Sequence, residues 1–91
     1  MLNLEKYYHE NHWQGMLKIA NKYWENTPEQ LELLSIITDI EIAKVIWGRL
    51  RDNCFNWINK PLADLDYLRP IDCLNNEELK KRLKTVLIRF D

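Results

Sequence analysis

Glycine is nearly absent: Gly15 and Gly48 are the only two in the chain. A loop that wraps backbone N–H groups around a phosphate needs several glycines in close order, so a nucleotide cradle of that kind is excluded. Histidine is confined to His9 and His12, and cysteine to Cys54 and Cys73, which form no CxxC pair. A structural zinc site usually takes four such ligands, so no metal is expected. The two thiols are expected to be reduced and buried rather than bridged. An excess of one charge is also lacking, with 13 Lys and Arg against 14 Asp and Glu and a formal net charge of −1. A dedicated nucleic-acid binder carries a basic excess or stripe, so nucleic acid is not the expected partner. No apolar run approaches the ~18 residues of a membrane span. The opening residues, with Leu2, Glu5 and Lys6, do not form a charged-then-apolar leader. A soluble, cytoplasmic protein is expected. There is no internal repeat, no low-complexity segment and no strand-like alternation, and the remaining signals are helical.

What is present fits one small all-α domain. A chain of 91 residues buries roughly 60–65% of its unfolded surface, which gives an adequate core and modest stability. Leu4 to Trp24 is aromatic-rich and helical in pattern, with Leu4, Tyr8, Leu17, Ala20 and Trp24 near helical spacing. Tyr7, Trp13 and Met16 widen that face, and Gly15 points to a break near Asn11 to Gly15. Thr27-Pro28-Glu29-Gln30 is the clearest helix start: Thr27 caps, Pro28 suits the first helical position and Gln30 completes a capping box. One helix is expected from Pro28 to about Trp47, ended by Gly48, although Thr38 with Glu41 allows a kink. It is apolar on more than one side, which means burial on several faces or a second surface for a partner. Asp52 is expected to cap a shorter helix through Asn59.

The most distinctive order of residues runs from Trp57 to Leu74. Pro61 and Pro70 each forbid a continuing helix. The stretch between them reads as a loop anchored by Trp57, Leu62, Leu65 and Leu68, because a floppy linker does not carry so many large apolar residues. Pro70 begins a single helical turn ending at Leu74, and Asn75 or Asn76 caps the last helix, with Glu77 and Glu78 in its first turn. Leu79, Leu83, Val86, Leu87 and Phe90 form the inner stripe of that helix. Lys80, Lys81, Arg82 and Lys84 are expected on its outer, solvated side, where with Arg89 they form the one basic face.

Support for catalysis is thin. Cys54 and Cys73 sit at apolar-pattern positions, whereas a nucleophilic thiol needs a base or a positive environment. Asp64, Asp66 and Asp72 lie around the loop and are read as turn formers and caps. His9 and His12 share one side of a helix and are read as surface histidines. No enzyme activity and no cofactor are expected. The better clue is aromatic content: four tryptophans (Trp13, Trp24, Trp47, Trp57) and four tyrosines are many for this size. Those a small core cannot hide favour protein contacts, since they supply large area with few rotors.

The stretch Trp57-Ile58-Asn59-Lys60-Pro61, followed by Leu65, Pro70, Ile71, Asp72 and Leu74, resembles the C-terminal toxin-binding domain of the MbcA/ParS/Xre antitoxin family. That family runs Trp-Leu-Asn, one residue, Pro, then Leu, a turn glycine, Pro and a closing Leu. Trp47-Gly48 sits where the family has an aromatic-glycine pair, and Glu77 to Phe90 matches its closing helix. The resemblance covers roughly Pro28 to Phe90, leaving residues 1–27 as an aromatic-rich helical extension. Tyr67 stands at the turn glycine, so the turn either avoids positive φ or is strained by it. The closing helix has Asn75, Asn76 and Glu77 where the family has a glycine near its start.

The resemblance implies a bacterial antitoxin that binds a RES-domain, NAD-degrading toxin and self-associates as a homodimer. It implies Trp57, Asn59, Pro61, Leu65, Pro70, Arg82 and Arg89 as partner-binding residues. About 27 residues precede Pro28, too few for the helix-turn-helix domain many relatives carry, and Asp91 directly follows the last helix. Neither operator repression nor occlusion by a tail is therefore expected. Inhibition would use the surface near Trp57 to Leu74 or the last helix. The other reading is a stand-alone dimeric helical adaptor or small regulator whose aromatic N-terminal helix makes the dimer interface.

Overall fold

In the computed structural model, which describes residues 4–90, the chain is all-α, with no strand among the described residues. A 3-10 turn over Leu4–Tyr7 leads into α1 (Glu10–Tyr23), followed by α2 (Pro28–Ile36) and α3 (Ile40–Leu50). A 3-10 turn at Arg51–Asn53 runs straight into the single turn α4 (Cys54–Trp57). Two further 3-10 turns, Ala63–Leu65 and Pro70–Cys73, precede α5 (Glu77–Ile88).

The first break falls at Tyr8-His9 and not at Asn11 to Gly15. His9 is extended (φ −127°, ψ 106°) and makes no side-chain cap. Gly15 lies within α1, where a Cβ would meet nothing within 4 Å. Trp13, Leu17 and Ala20 form one buried stripe across it, and that burial outweighs the ~1 kcal/mol cost of a helical glycine.

The capping box at Thr27 forms as its residues predict. Thr27 Oγ1 accepts from the Gln30 N–H at 3.2 Å, and Gln30 Oε1 accepts from the Thr27 and Glu25 N–H groups at 3.1 and 2.9 Å. Gln30 is buried, and these bonds satisfy its side-chain oxygen. The single helix expected from Pro28 to Trp47 is instead two. Ile37 turns extended (φ −97°, ψ 93°), and Asp39 starts α3 by accepting from the Ile42 N–H at 3.1 Å. The break serves the core. In an unbroken helix at about 100° per residue, Ile37 and Ile42 would stand about 140° apart, yet both are fully buried in one cluster.

Gly48 does not end α3, which continues to Leu50 and closes at Arg51 with φ 51° and ψ −131°. Gly48 marks instead the approach of α3 to α1, where an added Cβ would meet the Ala20 Cβ at 3.7 Å. The helix expected from Asp52 to Asn59 is also shorter. No side chain caps α4, because the preceding 3-10 turn leads directly into it. Beyond it, the Ile58 carbonyl accepts from the Ile71 N–H at 3.1 Å, a partner from across the loop.

That loop is held from within. Leu62 and Leu68 form an isolated antiparallel bridge, the Leu62 N–H bonding the Leu68 carbonyl at 3.1 Å. Between them Leu65 is fully buried. Trp57 and Leu62 are half-buried, and Leu68 is 37% exposed, so it is not one of the anchors. The bridge turns the chain outward at Leu68, and Pro70 and Cys73 take the interior places that follow. The expected single turn from Pro70 and the Asn76 cap both form, with Asn76 Oδ1 accepting from the Glu78 and Leu79 N–H groups at 2.8 and 3.1 Å. The core gathers Trp13, Leu17 and Ala20 with Leu33, Ile37, Ile42, Ile46, Ile58, Leu65, Leu83 and Leu87. The first 27 residues thus contribute to the same interior as the rest.

Candidate interaction surfaces

The residues implied as a partner surface divide by depth. Leu65 and Pro70 are buried, and their role is to hold the loop from behind. Asn59, Pro61 and Arg89 are exposed, and Trp57 is half-buried. The Asn59 amide donates to the Phe55 carbonyl at 3.1 Å, tying the loop entry to α4. The Trp57 ring meets Phe90 edge to face, with centroids 6.1 Å apart.

Arg82 does not join a solvated basic face. Its side chain is 11% exposed. Nε and Nη2 donate to the two carboxylate oxygens of Glu5, each at 3.0 Å, and Nη1 donates to Asp66 Oδ2 at 2.8 Å. The fork holds the Glu5 carboxyl below its usual range, and the two carboxylates raise the guanidinium. Its neighbours are also engaged. Lys80 reaches Asp39 at 3.5 Å, and Lys84 lies over the Trp13 and Tyr8 rings at 5.0 and 5.6 Å. Of the four expected outer residues only Lys81 is exposed. The first 3-10 turn packs on α5, which covers the flank the sequence pattern leaves open.

Asp66, which Arg82 holds, begins a backbone excursion. Asp66 has φ 56° and Tyr67 has φ 65°. The turn at Tyr67 thus takes positive φ without glycine, a conformation that costs roughly 1–2 kcal/mol for an L-residue. Its side chain is 73% exposed. Next to it, Arg69 clasps Asp72 through two bonds of 2.8 and 3.0 Å, which lowers the Asp72 carboxyl.

A second surface lies on the other helices. Met16, Ile19, Ala20 and Tyr23 of α1 face Val45, Trp47, Gly48 and Arg49 of α3, with Arg51 beside them, around a cleft of about 210 Å³. Ile19 and Tyr23 are 62% and 53% exposed. The Arg49 guanidinium lies against Met16, with Nη2 3.5 Å from the sulfur. The sequence signal for this cleft is a second row, Met16-Ile19-Ala20-Tyr23, beside the buried stripe of α1. The aromatics divide accordingly: Trp13 is fully buried, Trp24, Trp47 and Trp57 are half-buried, and Tyr7, Tyr23 and Tyr67 are exposed.

The remaining chemistry-bearing residues are quiet. His9 and His12 stack at 4.3 Å on the surface. No group of three His, Cys, Asp or Glu residues among those described converges as a metal site. Cys54 and Cys73 are buried free thiols, each pushed up to about 11 by burial. This is the opposite of an activated nucleophile. No family model, curated protein or solved structure matches the chain.

Proposed function

We propose that this protein is a protein-binding module and, more specifically, an antitoxin-like one that neutralises a RES-type NAD-degrading toxin by direct contact. The observation that carries the reading is the loop from Trp57 to Leu74. It combines the residue order that resembles the antitoxin family with a rigid, outward-facing tip. Tyr67 stands exposed on strained backbone, fixed by the Leu62–Leu68 bridge and by the hold of Arg82 on Asp66. Strained, over-determined backbone at a surface is a recurring property of binding sites. The contact residues in this reading are Trp57, Asn59, Pro61, Tyr67 and Arg89, while Leu65, Pro70 and Arg82 support them from within.

The test is co-expression with the adjacent reading frame, one partner tagged, followed by an NAD-consumption assay. A complex of fixed stoichiometry whose partner consumes NAD when alone supports the reading. Toxin activity unchanged by a stoichiometric excess of this protein overturns it. The alternative, a dimeric adaptor, draws on a different observation: Leu31, Ile36 and Ile40 lie exposed on α2 and at the start of α3. It predicts a homodimer and no effect on NAD.

A further inference from the structure

The cleft between α1 and α3 has a chemical signature of its own. Its walls are apolar, from Met16, Ile19, Ala20, Val45 and Trp47, and Arg49 and Arg51 are the only charged residues among the described ones that line it. Neither guanidinium is paired with a carboxylate among the described residues. No acidic residue is among the described ones that line the cleft. Arg51 is held there at positive φ, a conformation most residues avoid. Ligand pockets for small molecules usually run from roughly 300 Å³ upward. At about 210 Å³ this cleft suits anchor side chains better than a whole metabolite.

We propose that this cleft seats an acidic amphipathic segment of a partner protein: a leucine or aromatic anchor between α1 and α3, with flanking carboxylates on Arg49 and Arg51. Apolar walls supply affinity, and the unpaired cations select the charge of what enters. One wall of the site is α1, outside the stretch that resembles the antitoxin family, and its α3 wall, which includes Trp47 and Gly48, is separate from the loop surface around Tyr67. Loss of the toxin-neutralising reading therefore leaves it standing, and the reverse also holds.

The experiment is fluorescence anisotropy on the intact chain. The probe is a short labelled peptide with leucine and phenylalanine at helical spacing among glutamates, beside a twin in which lysines replace the glutamates. The glutamate peptide is expected to bind and to weaken as salt rises, and the lysine twin is not. Arg49→Glu combined with Arg51→Gly weakens binding by about tenfold or more. Glycine at 51 also suits the positive φ, so the fold is kept. Gly48→Leu fills the cleft and abolishes binding, and its Cβ meets only Ala20 at an ordinary 3.7 Å. Circular dichroism verifies that both variants remain helical. Several outcomes overturn the proposal: no binding of the glutamate peptide, equal binding of the lysine twin, or binding untouched by both variants. So do self-association lost in the same variants, which makes a second copy the occupant, and tighter binding of a single-stranded oligonucleotide at the cleft.

Discussion

Arg82 is the side chain on which distant parts of the molecule meet. It joins Glu5 and Asp66 at once, in two bonds of 3.0 Å and one of 2.8 Å. A planar fork can do this, whereas a lysine ammonium is a point charge with one reach. Arg82→Ala is expected to lower the melting temperature, with Arg82→Lys recovering only part of the loss; thermal melts followed by circular dichroism decide it. The same contact has a pH signature. Because Arg82 lowers the folded-state pKa of Glu5, its stabilisation is present above the unfolded carboxyl value of about 4.3 and is lost as pH falls through the folded value. Acid titration of Arg82→Ala should lack that component. Tyr67 gives the opposite kind of test. Its backbone is strained, and its ring is 73% exposed, so little packing is lost with the side chain. Tyr67→Gly relieves roughly 1–2 kcal/mol of left-handed strain against roughly 0.5–1 kcal/mol of added unfolded-state freedom. A net gain of about 0.5–1 kcal/mol in urea unfolding is expected.

Among the elements, the join between α2 and α3 depends on one carboxylate. Asp39 caps α3 through the Ile42 N–H and also meets Lys80 of α5 at 3.5 Å. Asp39→Ala is expected to cost about 1–2 kcal/mol, and Asp39→Asn, which keeps the cap but not the charge, about half of that or less; denaturant unfolding of the pair separates the two roles. This join also marks where sequence reasoning stops. Starts signalled by local chemistry are legible: the Thr27 capping box, the Pro70 turn and the Asn76 cap are all read from adjacent residues. The α2–α3 break is only half legible: Thr38 with Glu41 allows a kink, but Ile36, Ile37, Ile40 and Ile42 keep the pattern apolar across it and favour one helix. What forces the bend is the common core that both helices enter. Gly48 misleads for a related reason, since it lies inside α3 opposite Ala20 of α1, and the helix runs on through it to Leu50. Arg82 reads as one cation in a basic stripe because Glu5 lies 77 positions away. The cleft is half legible, as a second row on α1, but its other wall and its cations come from α3 and the turn after it.

Over the whole molecule the margin is narrow. A domain of 91 residues has roughly 5–14 kcal/mol of stability, and truncating one buried tryptophan costs about 3–5 kcal/mol. Residues 1–27 supply Trp13, Leu17 and Ala20 to the common core and Glu5 to Arg82. A chain beginning at Pro28 is therefore expected to be unfolded in far-ultraviolet circular dichroism. A folded, cooperative fragment would make those residues an independent appendage. The buried thiols contribute an alkaline component. Cys54 and Cys73 are raised from 9.0 to about 11, so the unfolded chain ionises first and stability is lost as pH rises through that interval. Melting temperatures measured across it should fall, and the slope should flatten in the Cys54→Ala, Cys73→Ala double variant. The Glu5–Arg82 contact also bears on synthesis. The first turn leaves the ribosome long before Arg82 is made, and it has no native partner until α5 emerges. Until then Trp13 and its neighbours have α3 but not α5 to pack against, which leaves part of their apolar surface open to chaperones and proteases. Chains truncated before Arg82 are therefore expected to be cleared faster than the full chain, which a pulse-chase of the two checks.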